Sequence, residues 1–271
     1  MRKAVEAARF IWTHPSNRGQ RARKLAQALV FQVRGRVFGR PTVARVGERS
    51  RVLIHPGRGQ AGLLYANPPE LPEINVWRRH LRRSPGLFLD IGANVGAYTL
   101  WAIEAGCEVI AVEPDGWAAE QLQANLALNG YQATVISAAI ADKPGSVRMT
   151  TDRGVTNRIV EEGYAGATEV VRAMTIDEIL GGRTAVGAKV DVEGAEMSVV
   201  LGAARALAEK RIHLMQLEWT SASDTFGIRR EDIAAVLDVH GYELLRPTID
   251  GELEPPAHVG PQQPDLFARP R

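Results

Sequence analysis

The stretch FLDIGANVG, residues 88–96, decides the fold of this chain. An apolar run ends at Asp90 and Ile91, and glycines follow just before a helical pattern begins. Gly92 and Gly96 remove side chains where the backbone must turn and approach a ligand, and the helix N-terminus supplies free N–H groups. The stretch therefore predicts a strand, a turn and a helix on one side of a nucleotide-type pocket.

Beyond this unit, short apolar runs alternate with helical patterns. The predicted strands are residues 87–91, 108–112, 134–137, 185–191, 212–218, 243–245 and 266–268. The predicted helices between them are residues 95–105, 117–129, 195–208 and 230–240. Such alternation indicates an α/β fold with a mostly parallel sheet covered on both faces, and ligands of such sheets lie at the carboxyl ends of the strands.

Acidic residues follow two of these predicted strands. The spacing D-x-G-x-x-x-G differs from that of dinucleotide enzymes and lacks the Lys-Ser/Thr of a phosphate loop. Glu113 ends the second strand, 23 residues after Asp90, near the place where an acidic residue accepts the hydroxyls of a ribose. Asp191 and Glu193 end a later strand, where carboxylates can hold a hydroxyl or take its proton. Glu196 is better explained by the dipole of the helix that it begins.

These residues resemble the FkbM family of S-adenosylmethionine-dependent methyltransferases. The resemblance is carried, in order, by FLDIGANVGAYTL (88–100), VIAVEPD (109–115), AKVDVEGAEMSVVLGA (188–203) and LMQLEW (214–219). It covers about residues 86–220, and the block containing Asp191, Glu193 and Glu196 is more distinctive than the glycine turn.

The resemblance implies a class I methyltransferase with a Rossmann-like, mostly parallel sheet of seven strands, the last antiparallel. It implies S-adenosyl-L-methionine as cofactor and O-methylation of a hydroxyl, most often of a sugar in a glycan, glycolipid or glycosylated metabolite. The cofactor-binding residues that it implies are Asp90, Gly92, Asn94 and Gly96 on the methionine and ribose side, Glu113 at the ribose, and Pro114 and Ala139 beside the adenine. Asp191 and Glu193 are expected to face the acceptor and to be the catalytic residues.

Methyl transfer to a hydroxyl needs a base or a metal, because a hydroxyl has a pKa far above neutral. Asp191 is the leading base in this interpretation, and Glu193 positions the acceptor. A divalent cation is not favoured, because no set of His, Asp and Glu residues has ligand spacing. We therefore expect no metal-binding residues.

The charge of the chain is divided unevenly. Residues 1–50 contain twelve Lys and Arg but only two acidic residues, whereas the rest of the chain has 21 basic and 29 acidic residues. Residues 1–40 are predicted to form a basic helical arm, with amphipathic helices at 1–13 and 21–38. This arm is expected to be separable from the part of the chain that carries out the chemistry. Residues 41–85 predict short strands, including one at 63–65, and a helix. Residues 86–271 form the methyltransferase domain, with a substrate-side insert at 142–184.

The composition limits the compartment and the partners. Cys107 is the single cysteine, so no intramolecular disulfide forms and a cytoplasmic location is expected. No uninterrupted apolar run reaches 18 residues, so no membrane-spanning helix is expected. The basic amphipathic arm is instead expected to contact an anionic membrane peripherally, at its inner face, or an anionic glycan. Two alternatives remain: a nucleic-acid methyltransferase that uses the arm, with nucleic acid the less favoured partner, and a non-catalytic, membrane-peripheral protein that binds the cofactor. The sequence indicates no oligomeric state.

Overall fold

A computed structural model describes residues 2–151, 157–160, 163–219, 229–256 and 265–271. The helices are α1 (Arg2–Thr13), α2 (Arg21–Phe38), α3 (Gly62–Tyr65), α4 (Leu71–Arg83), α5 (Ala97–Glu104), α6 (Gly116–Asn129), α7 (Ile176–Leu180), α8 (Glu196–Leu201), α9 (Ala204–Ala208) and α10 (Arg230–Val239), with a short 3-10 turn at Pro15–Asn17. The strands are β1 (Thr42–Arg45), β2 (Arg51–Ile54), β3 (Leu87–Ile91), β4 (Glu108–Val112), β5 (Thr134–Ile136), β6 (Ala139–Ile140), β7 (Gly145–Thr150), β8 (Ile159–Val160), β9 (Thr168–Met174), β10 (Ala185–Val190), β11 (Met215–Leu217), β12 (Tyr242–Pro247), β13 (Leu253–Glu254) and β14 (Leu266–Pro270).

The main sheet has the order β13-β12-β14-β11-β10-β3-β4-β5. Strands β11, β10, β3, β4 and β5 pair in parallel, while β14 runs antiparallel to both of its neighbours, β11 and β12. The predicted α/β class, the mostly parallel sheet and the antiparallel last strand are confirmed. The described sheet has eight strands rather than the seven that we predicted, because β13 adds a two-residue edge strand beside β12.

The strand order indicates at which edge of the sheet a ligand is expected to bind. The chain moves from β3 outward through β4 to β5, and it later returns to the other side of β3 with β10 and β11. This reversal between β3 and β10 is the topological switch point, where ligands of open α/β sheets bind. Lys189 pairs with Asp90 in register across that boundary. Asp191, two residues after Lys189, therefore lies near the end of β3 at the carboxyl edge of the sheet.

Both faces of the sheet are buried, as the apolar runs predicted. Phe88 and Val109 face the core that contains Trp77 of α4, whereas Leu89 and Ile110 face the core on the other side. This double burial explains why these strands read as continuous apolar runs rather than as alternating patterns.

The predicted helix at 195–208 is two helices, α8 and α9. Gly202 lies between them, and a Cβ at this position would be 2.2 Å from the carbonyl oxygen of Ala141. The carboxylate of Asp177 then accepts hydrogen bonds from the backbone N–H groups of Arg205 (2.9 Å) and Ala206 (2.8 Å), at the start of α9. Close contact and a new N-terminal cap interrupt a pattern that periodicity alone reads as one helix.

The interval 142–184 forms a small sheet of its own together with β6, in the order β6-β9-β7-β8. A capping box formed by Thr175 and Glu178 begins α7. Residues 152–156 and 161–162 of this insert lie outside the described residues. One prediction upstream is wrong: residues 63–65 belong to the helical turn α3, not to a strand.

The basic arm packs on the body of the protein. Asn17 is fully buried, and its Nδ2 donates hydrogen bonds to the carbonyl oxygens of Ile11 (3.0 Å) and Tyr65 (2.9 Å). The Nζ of Lys24 donates to the carbonyl oxygen of Leu64 at 2.9 Å. The arm is therefore held against the body of the protein. One face of its helices contacts the segment around α3 through apolar side chains and hydrogen bonds. No described helix is long and apolar enough to cross a membrane.

Candidate active site

The turn after β3 has the backbone geometry that its glycines predicted. Gly92 has φ +74°, and a Cβ on it would lie 1.8 Å from the carbonyl oxygen of Asp191. Gly96 has φ +88° and immediately precedes α5. Asn94 also lies in the left-handed region, with φ 51°, a conformation that costs free energy for a residue with a side chain and that clusters at functional sites. The turn thus brings the backbone of β3 against the end of β10.

Asp90 stabilises this turn through hydrogen bonds to helix α5. Its Oδ2 accepts hydrogen bonds from the backbone N–H (2.8 Å) and the hydroxyl (2.6 Å) of Thr99 in α5. Burial raises the pKa of Asp90, while nearby Lys189 and the bonds from Thr99 act in the opposite direction. Asp90 is therefore a buried anchor between β3 and α5 as well as a residue at the edge of the site.

Glu113 ties the end of β4 to the same turn. Its Oε2 accepts a hydrogen bond from the backbone N–H of Asn94 at 2.7 Å, and its Oε1 accepts from the N–H of Asp115 at 2.8 Å. Burial raises the pKa of Glu113 to about 7 in spite of these two bonds. Each carboxylate oxygen retains a second lone pair, so Glu113 can still accept the hydroxyl groups of a ribose.

A cleft with an empty volume of about 890 Å³ opens beside these residues. It brings together seven of the nine predicted site residues: Gly92, Asn94, Glu113, Pro114, Ala139, Asp191 and Glu193. Asp90 and Gly96 do not line it; Asp90 lines a neighbouring cavity and Gly96 shapes the start of α5. The insert reaches this cleft through residues of β7 and β8.

Two side chains at the cleft were not anticipated. The indole ring of Trp117, at the start of α6, lines the cleft, and the guanidinium of Arg58 lies 4.4 Å from the centre of that ring. An aromatic ring beside Pro114 and Ala139 gives a flat base a surface to pack on. Only the position of Trp117 at the start of the helix that follows the second predicted strand could have drawn attention to it.

A second cavity, with an empty volume of about 790 Å³, adjoins the cleft and shares Gly92, Asn94 and Asp191 with it. The segment around α3 forms its other wall, including Gln60 and Glu70. Gln60 is only 6% exposed, and its Nε2 has no hydrogen-bond partner in the described part of the chain. The two cavities meet at the glycine turn, so one extended ligand can occupy both.

Lys189 and Asp191 form a buried ion pair at the end of β10. Their Nζ and Oδ2 atoms are 2.6 Å apart, and the side chain of Lys189 is 4% exposed while that of Asp191 is 37% exposed. Burial alone would raise the pKa of Asp191, but the ammonium of Lys189 outweighs burial and lowers it. Asp191 is thus ionised and only weakly basic, with its open side toward the cleft.

Glu193 has the opposite electrostatic character. Burial first, and then the negative charges of Asp191 and Glu196, raise the pKa of Glu193 to about 7. Its backbone lies in the left-handed region, with φ 53°, directly before Gly194. The strand end therefore turns so that a carboxyl group of near-neutral pKa lines the cleft beside an ionised one.

Glu218 is a functional candidate that sequence reasoning missed. It follows β11, and oxygen atoms of Asp191, Glu193 and Glu218 all lie within 4.8 Å of one another. Burial, and next the charge of Asp191, raise the pKa of Glu218 far above its usual range, and Glu218 hydrogen-bonds to Asp191. Because β11 neighbours β10 in the sheet, the rule that ligands lie at strand ends could have identified it.

The three carboxyl groups could hold a divalent cation through their oxygen atoms. The ammonium of Lys189 and the proton on Glu218 already offset much of their negative charge. Residue spacing along the chain did not reveal this cluster, and the expectation that a metal is not favoured remains a prediction.

Residues 90–244, more than half of the chain, match the family model of the methyltransferase FkbM domain. No curated protein sequence matches the chain.

Solved structures with a similar fold include three methyltransferases. The Pyrococcus abyssi tRNA (uracil-54, C5)-methyltransferase, in complex with S-adenosyl-L-homocysteine, has a TM-score of 0.45 and 13% identity, over 84% of this chain and 43% of that chain. The T. thermophilus 16S rRNA N2 G1207 methyltransferase, in complex with AdoMet and guanosine, has a TM-score of 0.49 and 18% identity, over 86% of this chain and 50% of that chain. A SAM-dependent methyltransferase from Agrobacterium tumefaciens has a TM-score of 0.48 and 11% identity, over 87% of this chain and 72% of that chain. This chain spans half or less of the length of the first two proteins. At these identities the similarity concerns the fold alone.

Proposed function

The chain belongs to the FkbM methyltransferase family and uses S-adenosylmethionine as its methyl donor, and from this premise we propose that it methylates a hydroxyl group of a sugar. The sugar belongs to a glycan, a glycolipid or a glycosylated metabolite. One observation carries the proposal: Glu193, with a pKa raised to about 7, lines the same cleft as the ribose-side carboxylate Glu113. A methyl acceptor with a hydroxyl needs such a base, whereas an amine or a thiolate does not need one as strongly.

The two cavities suit the two ends of the cofactor in this proposal. Glu113 accepts the ribose hydroxyls, and Pro114, Ala139 and Trp117 enclose the adenine in the cleft. The methionine end lies toward the second cavity, where the unpartnered Nε2 of Gln60 can donate to a carboxylate. The cofactor supplies a methyl group already activated by the sulfonium, so the protein mainly aligns the acceptor and excludes water.

We expect Glu113→Gln to weaken binding of S-adenosylhomocysteine by about 10-fold to 100-fold, because an amide replaces one acceptor oxygen with a donor facing the ribose. Isothermal titration calorimetry measures this directly. Glu120→Gln, at an exposed position on α6, is the matched control and should bind the ligand as the wild type does. Unchanged affinity in Glu113→Gln would remove the ribose role.

We propose a division of catalytic roles opposite to the one expected from sequence. Asp191 is held ionised and weakly basic by Lys189, so it is better suited to orient the acceptor hydroxyl. The pKa of Glu193 is raised to about 7, and a pKa near neutral suits a general base that acts near neutral pH. In the proposed step the acceptor oxygen forms a bond to the methyl carbon, the sulfur–carbon bond breaks, and Glu193 takes the hydroxyl proton.

The rate should depend on pH through Glu193. The base acts only when it is ionised, so kcat should rise with pH, reach half of its plateau near pH 7 and fall about tenfold for each pH unit below. Steady-state assays at saturating cofactor measure this rise of kcat with pH, because saturation removes the effect of Glu113 on cofactor binding. A flat profile between pH 5 and 8 would contradict the role of Glu193.

Metal removal should leave the activity intact. Lys189 supplies the positive charge beside Asp191, so dialysis against EDTA should change the rate by less than about twofold. If EDTA abolished activity and magnesium restored it, the cluster of Asp191, Glu193 and Glu218 would be a metal site instead.

The acceptor class is tested by incubating the protein with labelled cofactor and fractionated glycans, lipids and RNA. We expect label in a sugar-containing fraction. Label in RNA that depends on residues 1–40 and falls steeply with salt would favour the nucleic-acid alternative. Binding of the cofactor with no transfer to any fraction would favour a non-catalytic protein. Peripheral contact with the inner face of a membrane is part of this proposal.

A further inference from the structure

Helix α2 carries apolar side chains on two opposite faces. Ala28 and Phe31 are buried against the body, and Gly35 is on the same side, where a Cβ would lie 2.9 Å from Pro56. Leu29 and Val33 recur one helical turn apart on the opposite face, where they are 66% and 53% exposed. Packing on the body therefore explains only one of the two apolar faces.

The exposed apolar face is continuous along the helix. It consists of Leu29, Val30, Val33 and Val37, and together these residues are called the outer face of α2. Each of them is more than half exposed. Single exposed apolar residues are ordinary, but a stripe of large ones on one helix marks an interaction surface.

Basic residues flank the outer face on both sides. At 100° per residue, Arg23 and Arg34 lie along one edge of the stripe and Arg36 lies along the other, and all three are exposed. Helix α2 contains five basic residues and no acidic residue. An apolar stripe bordered by cations fits the boundary between the acyl chains and the anionic headgroups of a bilayer.

We infer that the outer face of α2 is a docking surface for a membrane that contains anionic lipid. The apolar stripe enters the headgroup region, and the flanking arginines contact the lipid phosphates. A nucleic acid would contact the arginines but leave the apolar stripe in water. A soluble glycan would also leave the apolar stripe exposed and would pair with the arginines only in part. The sequence indicated a basic amphipathic arm, and the structure identifies which face remains available after the other has packed.

Vesicle flotation of the full chain tests this surface independently of methyl transfer. Wild-type protein should float with phosphatidylcholine vesicles that contain 30% phosphatidylglycerol and should not float with pure phosphatidylcholine. Arg23→Gln, Arg34→Gln and Arg36→Gln together should lower the partition coefficient about 100-fold at low salt. Leu29→Asn, Val33→Asn and Val37→Asn together should lower it at least about tenfold.

Two matched controls separate the surface from general charge and hydrophobicity. Arg83→Gln, Lys143→Gln and Arg172→Gln remove the same charge from exposed positions of the body, and Val170→Asn with Val239→Asn removes exposed apolar side chains there. Both should float as the wild type does, and circular dichroism should show that every variant is folded.

Three results would overturn the inference. The first is equal flotation with neutral and anionic vesicles. The second is equal loss of flotation in the outer-face variants and their controls. The third is the absence of flotation together with retention of RNA on a filter through residues 1–40.

Discussion

Replacing Glu193 by Gln should lower kcat by about 100-fold to 10,000-fold, while the affinity for S-adenosylmethionine stays unchanged. The amide keeps the size of the side chain but cannot take a proton from the acceptor. Glu193 lines the cleft with a pKa raised to about 7 by burial and by neighbouring carboxylates, so its loss removes the group whose basicity matches the reaction. Steady-state kinetics and calorimetry on the same preparation separate the two effects.

Asp191→Asn is the companion variant that separates the two carboxyl groups. The charge of Asp191 raises the pKa of Glu193, so removing it should lower that pKa and move the acidic limb of the rate profile below pH 7. If Asp191 were the base, Asp191→Asn would lose the limb altogether and Glu193→Gln would keep at least a tenth of the rate. That pattern would reverse the assigned roles.

The largest effect on stability is expected for Lys189→Met. The side chain of Lys189 is buried and 2.6 Å from Asp191. Burial by itself would lower its pKa, but Asp191, Glu70 and Asp265 together raise it. Removing the ammonium would leave several buried carboxyl groups without their shared cation, at a cost of about 3–5 kcal/mol in the free energy of unfolding. Chemical denaturation measures this loss.

Lys143→Met is the control for that variant, because Lys143 is exposed and its replacement should change stability by less than about 0.5 kcal/mol. The double variant Lys189→Met with Asp191→Asn should recover part of the loss, since it also removes one of the unpaired anions. A loss below about 1 kcal/mol in Lys189→Met would show that the network does not depend on this cation.

The sheet and the glycine turn beside the cleft were predictable because their signals are local. Strands buried on both faces read as apolar runs, and the glycine at position 92 marks a turn whose backbone has φ +74°. Asp90 lies near the end of one such run, and Glu113 directly follows another. Seven of the nine predicted site residues accordingly meet in one cleft.

The electrostatic roles were not predictable, because they depend on contacts between distant segments. Lys189 precedes Asp191 by two residues, yet only burial of the pair makes Asp191 a weak base. Glu218 joins Asp191 because β11 lies beside β10 in the sheet. The docking of the arm through Asn17 likewise depends on Tyr65, 48 positions away, which no periodic pattern reveals.

We propose that the methyl group is transferred to a sugar oxygen, and identifying the atom that carries the methyl group in the product tests this directly. The product labelled from S-adenosylmethionine is hydrolysed in acid, and the released species are identified by mass spectrometry. We predict an O-methyl monosaccharide that is absent with Glu193→Gln. A methyl group on a nucleobase carbon or nitrogen would contradict it.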